Sequence, residues 1–274
     1  MKTVGFIKSK KENERRRAIT FEDIKKIKNR DKLVFESGYF DDFGISDEEI
    51  KNLGSVVKSR KDTLKCDIIC DPKVGDAEYL DILNNQTIFG WIHATQNRHI
   101  TDSIINSKLT AYAWESMFEG DKHVFWKNNQ IAGEAAICHS ITVYGKLPTN
   151  LDVAIIGYGN TAKGAERVLK ALGANVTIYQ RKDEAKFKKE FMNYNIIVNA
   201  VLWDVNRKDY ILCNKDLKKM KSQSLIVDIS CDHDGAIQSS RPTTANAPTY
   251  IQDGVIHYAV DHTPTFLYRD ATES

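Results

Sequence analysis

The stretch 151–173, "LDVAIIGYGNTAKGAERVLKALG", leaves the chain around it little choice of architecture. Val153 to Ile156 form an unbroken apolar run with the length and composition of a strand buried on both faces. Gly157 and Gly159 then turn the chain, and Val168, Leu169 and Leu172 fall on one side of the helical stretch that follows. A strand, a tight glycine turn and a helix in immediate succession make a β-α unit, and such units assemble into parallel sheets with right-handed helical crossovers. The turn also carries chemistry. Gly157 permits the tight turn, and Gly159 lets backbone N–H groups approach a pyrophosphate at the positive end of the helix. Ala162 stands where a dinucleotide fingerprint needs a small third residue for packing.

Four further apolar runs follow this unit: "NVTIY" (175–179), "IIVNAV" (196–201), "SLIVDIS" (224–230) and "VIHYAV" (255–260). Before it lie "TVGFI" (3–7), "KLVFES" (32–37), "CDIIC" (66–70), "TIFGWI" (87–92) and "LTAYAW" (109–114), with helix-like stretches such as "FEDIKKI" and "ITDSIINS" between them. Both series alternate strand with helix, so the expected fold class is α/β, with two Rossmann-like doubly wound domains and a cleft between them. The apolar spacing of 129–145 predicts a connecting helix, and "GKLPTN" punctuates the chain after it. The expected boundaries are a substrate domain over 1–126, rejoined by 263–274, and a nucleotide-binding domain over 127–262. The tail "TPTFLYRDATES" reads as a helix that breaks off at Thr272, Glu273 and Ser274, where an element is expected to continue.

Composition narrows the function. With 39 Lys and Arg against 37 Asp and Glu, the formal charge of +2 supplies no field for a nucleic-acid partner. No apolar run reaches membrane-spanning length and the N-terminus lacks a signal-peptide core, so a cytoplasmic location and no membrane partner are expected. The five cysteines are scattered without paired CxxC spacing, so no metal site is expected and the thiols read as reduced and structural.

About twenty residues past the glycine turn, a dinucleotide site that prefers NAD places an acid to accept the ribose 2′-hydroxyl. Here that place reads Gln180, followed by Arg181 and Lys182. A carboxylate would repel a 2′-phosphate, whereas a neutral amide beside two cations attracts one. The expected cofactor is therefore NADP(H).

In the first half, His93 follows the run "TIFGWI" at the carboxyl edge of the expected sheet, where open α/β sheets bind ligands. Its imidazole exchanges protons near neutral pH, as carbonyl chemistry requires. Lys73 follows "CDIIC", and Arg16 follows the first strand by a loop. An ammonium and a guanidinium at one sheet edge suit a carboxylate, the arginine as a bidentate fork.

The blocks "ENERRRAIT", "DIICDPK", "IFGWIHA", "LTAYAWES", "NQIAGEAA", "AIIGYGNTAKGA", "DISCDHDGAIQSSRPTT" and "YAVDHTPTFLYRDATES" follow one another as in the alanine dehydrogenase and saccharopine dehydrogenase superfamily, which the chain resembles over nearly its whole length. The resemblance implies that Arg16 and Lys73 bind the carboxylate of an oxo acid and that His93 is the acid/base catalyst. It places Asp232 beside the nicotinamide and Glu115 at the substrate, Glu115 matching an acid whose spacing is shifted in this chain. Tyr158, Asn160 and Thr161 would flank the pyrophosphate, with Val201 and Leu202 lining the nicotinamide side. The branch of that superfamily with the closest resemblance condenses pyruvate with a side-chain amine of ornithine or lysine and uses NADPH, whereas its alanine dehydrogenases carry an aspartate after the second strand and use NAD. In relatives the chain continues through a helix that often contributes to subunit contacts, and the resemblance leaves a homo-oligomer as one expectation for this chain.

Overall fold

A computed structural model describes residues 2–204, 206–231 and 235–274. The chain divides into two compact units, Met1–Phe125 with Tyr268–Ser274, and Trp126–Leu267.

The first unit runs β1 (Val4–Phe6), α1 (Phe21–Lys26), β2 (Leu33–Glu36), α2 (Asp47–Asn52), β3 (Val56–Lys58), α3 (Arg60–Thr63), β4 (Ile68–Cys70), β5 (Thr87–Gly90), α4 (Arg98–Asn106) and β6 (Thr110–Ala113), then a small hairpin of β7 (Phe118–Glu119) and β8 (Lys122–His123). Short polar residues start the helices. Thr20 accepts from the Asp23 amide, Ser46 and Glu49 cap each other reciprocally, and Asn97 accepts from the His99 amide. The six main strands are parallel in the order β3-β2-β1-β4-β5-β6. The chain builds outward from β1 to β3, then returns to the other side of β1 to lay down β4. Loops leaving β1 and β4 therefore diverge at adjacent carboxyl ends, Phe6 beside Cys70, and open a crevice there.

The second unit comprises α5 (Trp126–Tyr144), β9 (Asp152–Ile156), α6 (Asn160–Ala171), β10 (Asn175–Tyr179), α7 (Glu184–Glu190), β11 (Ile196–Asn199), α8 (Asn214–Leu217), β12 (Leu225–Asp228), β13 (Thr249–Gln252) and β14 (Val255–Tyr258). Its sheet order is β10-β9-β11-β12-β14-β13, parallel except for β13, which runs antiparallel to β14. Both β11 and β12 are buried at all four positions, which is why they read as unbroken apolar runs. The switch in direction falls between β9 and β11, with Ile156 beside Asn199 at their carboxyl ends. Helices α5 and α6 touch backbone to backbone. A Cβ on Gly133 would lie 2.0 Å from the Thr161 carbonyl oxygen, and one on Gly164 would lie 2.0 Å from that of Gln130.

The domain boundaries differ from expectation by one residue at Trp126, which starts the second unit, and by more near the C-terminus. Thr263–Leu267 stays with the second unit, where Thr263 donates to the Ala132 carbonyl (2.9 Å) and Phe266 packs on the core. Only α9 (Tyr268–Glu273) joins the first unit. There the Tyr268 hydroxyl donates to the Asp42 carbonyl (2.9 Å) and its ring meets Phe43 edge-on at 5.2 Å. Thr272 Oγ1 accepts from the Arg17 amide at 3.0 Å.

Candidate active site

The crevice beside β1 and β4 collects charge. Arg16, 4% exposed, donates from Nε and Nη2 to the two Glu14 carboxylate oxygens at 2.9 and 2.6 Å, and its backbone amide adds a third bond at 2.9 Å. Burial pushes the Glu14 carboxyl up, but the guanidinium that grips it outweighs burial and holds it at about 2. Glu14 is thus ionised and balances much of the Arg16 charge. The neighbouring Arg17 fixes this loop, its guanidinium donating to the Arg15 and Arg16 carbonyls (2.9 and 3.0 Å) and to Asp42 (2.7 Å).

Lys73 is also buried, and its backbone amide donates to Asp71 Oδ1 at 2.8 Å. Burial, reinforced by the charges of Lys11 and Arg16, pulls the Lys73 ammonium below its ordinary pKa. Asp71 itself is wholly buried and accepts from the Tyr79 hydroxyl at 2.8 Å. Burial pushes its carboxyl up to about 7 despite these bonds. Glu14 and Asp71 were not marked by sequence reasoning. The available signal was an acid directly after a buried strand for Asp71, and an acid two residues before the key arginine for Glu14.

His93 follows β5 with a left-handed backbone, φ +56°, a conformation that costs a residue with a side chain roughly 1–2 kcal/mol. Glu115, in the turn after β6, holds it there, its carboxylate accepting from the His93 amide at 2.5 Å and the Ile92 amide at 3.2 Å. The imidazole stacks on Trp91, centroids 6.1 Å apart and planes 9° from parallel. Burial lowers the His93 pKa and the Lys73 charge adds to that, against the opposing pull of Glu115 and Asp76. The ring is therefore neutral near pH 7 and able to accept a proton. Glu115, expected at the substrate, is engaged with the backbone that carries the histidine.

In the second unit, Gly157 adopts φ +109°, and a Cβ there would lie 2.5 Å from the Ala200 carbonyl oxygen. Gly159 caps α6, and nothing lies within 4 Å of where its Cβ would be. That open space at the amino end of a twelve-residue helix fits a pyrophosphate approached by backbone amides. Tyr158 is half exposed beside it, Asn160 and Thr161 form the first turn of α6, and Ala162 is buried in the core. Gln180, Arg181 and Lys182 are all exposed at the end of β10. The next two acids in the chain are already engaged. Asp183 accepts from the Gln180 amide (3.1 Å), and Glu184 takes both arms of the Arg207 guanidinium at 2.9 Å, a pairing that holds its carboxyl at about 2. Arg207, also missed by sequence reasoning, stacks 4.3 Å over Trp203 and so ties the loop after β11 to α7. In that loop Val201 packs on the core, whereas Leu202 is 91% exposed. Asp232 lies outside the described residues. Among the described residues no cluster of His, Cys, Asp and Glu is placed to hold a metal ion, and no helix is long and apolar enough to cross a membrane.

A glycine turn at the switch point of one sheet, and buried cations at the switch point of another with a histidine after the next strand, define a nicotinamide-dependent oxidoreductase built from two α/β domains. Residues 5–127 match the alanine dehydrogenase/PNT N-terminal domain and residues 179–274 the alanine dehydrogenase/PNT C-terminal domain, and the chain belongs to this family. It is 30% identical to an N(5)-(carboxyethyl)ornithine synthase of Clostridium botulinum, spanning 99% of this chain and 90% of that one. Identity is 28% to the enzyme of the same name from Lactococcus lactis, over 98% and 91% of the two chains. Among solved structures, an L-alanine dehydrogenase shares the fold with a TM-score of 0.81 at 20% identity, over 99% of this chain and 86% of that one. A transhydrogenase from Sinorhizobium meliloti gives 0.81 at 18% identity, over 99% and 89%.

Proposed function

We propose that the chain is an NADPH-dependent enzyme that joins pyruvate to the side-chain amine of ornithine or lysine, giving an N-(1-carboxyethyl) amino acid. One observation carries this reading: Arg16, Lys73 and His93 stand at the carboxyl ends of neighbouring parallel strands, two of them buried cations and the third a histidine held neutral. The similarity to carboxyethylornithine synthases supports the choice of substrates.

Arg16 and Lys73 hold the pyruvate carboxylate. Because Glu14 offsets Arg16, much of the net attraction comes from Lys73, and the guanidinium contributes direction. Holding the oxo acid by one end fixes its C2 for attack. A side-chain amine with an ordinary pKa near 10.4 arrives protonated, and the depressed His93 accepts that proton. The amine nitrogen bonds to C2 as the carbonyl π bond breaks, a proton passes from that nitrogen to the carbonyl oxygen, and His93 returns its proton to the hydroxyl as water leaves, giving the protonated imine. Glu115 positions His93, and Asp232 would act beside the nicotinamide.

NADPH, when bound, supplies the hydride that reduces the imine carbon. Gly157, Gly159 and the first turn of α6 would hold its pyrophosphate, and Gln180, Arg181 and Lys182 its 2′-phosphate. Asp183 and Glu184 are held in hydrogen bonds of their own, while the Arg181 charge also reaches Asp204. NADPH and NADH oxidation with pyruvate plus ammonia, ornithine or lysine tests the reading. NADPH oxidation that requires ornithine or lysine is the expected result. Activity confined to NADH and ammonia would overturn it in favour of an alanine dehydrogenase.

A further inference from the structure

The loop after β1 carries Lys11 and the turn after β4 carries Asp76. Lys11 Nζ lies 3.0 Å from Asp76 Oδ2, and Lys73 Nζ lies 3.6 Å from that same oxygen. Asp76, with 34% of its side chain exposed, thus bridges the buried Lys73 (9%) and the partly exposed Lys11 (20%). The charges of Lys11 and Asp76 both act on the His93 ring. A partly exposed ion pair of this kind contributes little to folding, so the fold alone does not call for it. The next pair along the loop, Lys10 with Glu78, has exposures of 63% and 49% and stands further into solvent.

The proposed reaction, on which this inference rests, sets a charge requirement that pyruvate does not use up. The amino acid brings a reactive amine at one end of its side chain and, on its α-carbon, a carboxylate and an ammonium. With the amine at His93, those two charges need a cation and an anion side by side, a few ångströms outward. We infer that Lys11 and Asp76 form this subsite, Lys11 taking the α-carboxylate and Asp76 the α-ammonium. Each exchanges its partner across the pair for an opposite charge on the substrate, so neither charge is left unpaired before or after binding. An ammonia-using enzyme has no use for such a pair; an enzyme that accepts a whole amino acid does.

The test compares amines within each protein preparation, with pyruvate and NADPH saturating. Ornithine is set against putrescine, which lacks the α-carboxylate, and against 5-aminopentanoate, which lacks the α-amine. For lysine the analogues are cadaverine and 6-aminohexanoate. The wild-type protein should prefer the amino acid over both analogues in kcat/KM. Lys11→Met should shrink the preference over the diamine by roughly tenfold or more, the loss of one charge-assisted contact, and Lys11→Arg should restore most of it. Asp76→Asn should shrink the preference over the amino-less analogue instead. Partial loss of folding cancels in these ratios. A wild-type enzyme active with ornithine or lysine whose variants keep both preferences overturns the subsite alone. A wild-type enzyme active with ammonia and with no amino acid overturns the reaction reading and the subsite together.

Discussion

Replacing Glu115 separates the histidine's chemistry from its placement. The carboxylate accepts from the His93 and Ile92 amides, and it opposes the left-handed strain at His93. A hydrogen bond to a charged group contributes about 1.5–3 kcal/mol. Glu115 is partly exposed, so about 1.5 kcal/mol for each bond is the suitable end of that range. The clamp then supplies about 3 kcal/mol against a strain of roughly 1–2 kcal/mol, and His93 stays in place. Glu115→Gln keeps one acceptor and turns an N–H donor toward an amide, so about half the clamp is lost and the strain comes near balance. The population with a correctly aimed imidazole should fall roughly twofold, and kcat with it. Glu115→Ala removes both bonds and should cost roughly tenfold. A second signature comes from charge. Glu115 raises the His93 pKa against burial and Lys73, so its neutralisation should move the acid limb of the kcat/KM profile to still lower pH. Steady-state kinetics across pH 5 to 9 reads both effects. A Glu115→Gln enzyme with unchanged kcat and an unmoved acid limb would refute the reasoning.

Other perturbations test other parts of the structure. Asp71, raised to about 7 by burial, costs the folded protein stability as pH rises from its unfolded value toward 7, since the unfolded chain releases the proton first. Asp71→Asn should therefore be more stable than the wild-type protein, by an amount that grows from pH 4 to pH 7 and reaches at most about 4 kcal/mol; urea unfolding at several pH values measures it, and a gap that shrinks over that range would count against a buried neutral acid. Gly159→Val should leave the melting temperature within a few degrees, because the space beside Gly159 is open, yet weaken NADPH binding at least tenfold by filling it; equal affinity by fluorescence titration would move the pyrophosphate elsewhere. Gln180→Asp with Arg181→Ala should shift the NADPH to NADH ratio of kcat/KM toward NADH, and an unchanged ratio would remove these residues from cofactor choice.

Much of this was legible in the sequence for a physical reason. Strands buried on both faces, such as Ile196–Asn199 and Leu225–Asp228, must be apolar throughout. Gly157 adopts a φ that side chains resist. Arg16, Lys73 and His93 stood out because each follows a strand at the edge where ligands bind. What escaped depends on tertiary partners. Val56–Lys58 is only three residues long and ends in an exposed lysine, and Thr249–Gln252 is partly exposed, so neither shows an apolar run. Glu14 lies in a stretch so rich in charge that it reads as solvated surface, and its burial depends on the Arg16 fork. The Glu115 contacts to the Ile92 and His93 amides escaped because sequence does not record which backbone amides need an acceptor. Gly133 and Gly164 stand 31 positions apart, and their mutual need is visible only where α5 crosses α6.

The return of α9 to the first unit bears on how the protein is made. The bond between Arg17 and Thr272 joins residues 255 positions apart, and the whole second unit lies between them in the chain. As the polypeptide leaves the ribosome, the segment carrying Arg16 emerges almost at once, yet its brace is synthesised only after the nucleotide-binding sheet is complete. Closing so long a loop is slow compared with forming local contacts. A nascent chain can therefore assemble its Rossmann domain while the arginine loop still waits for its last contact, so the packing around Arg16 matures late.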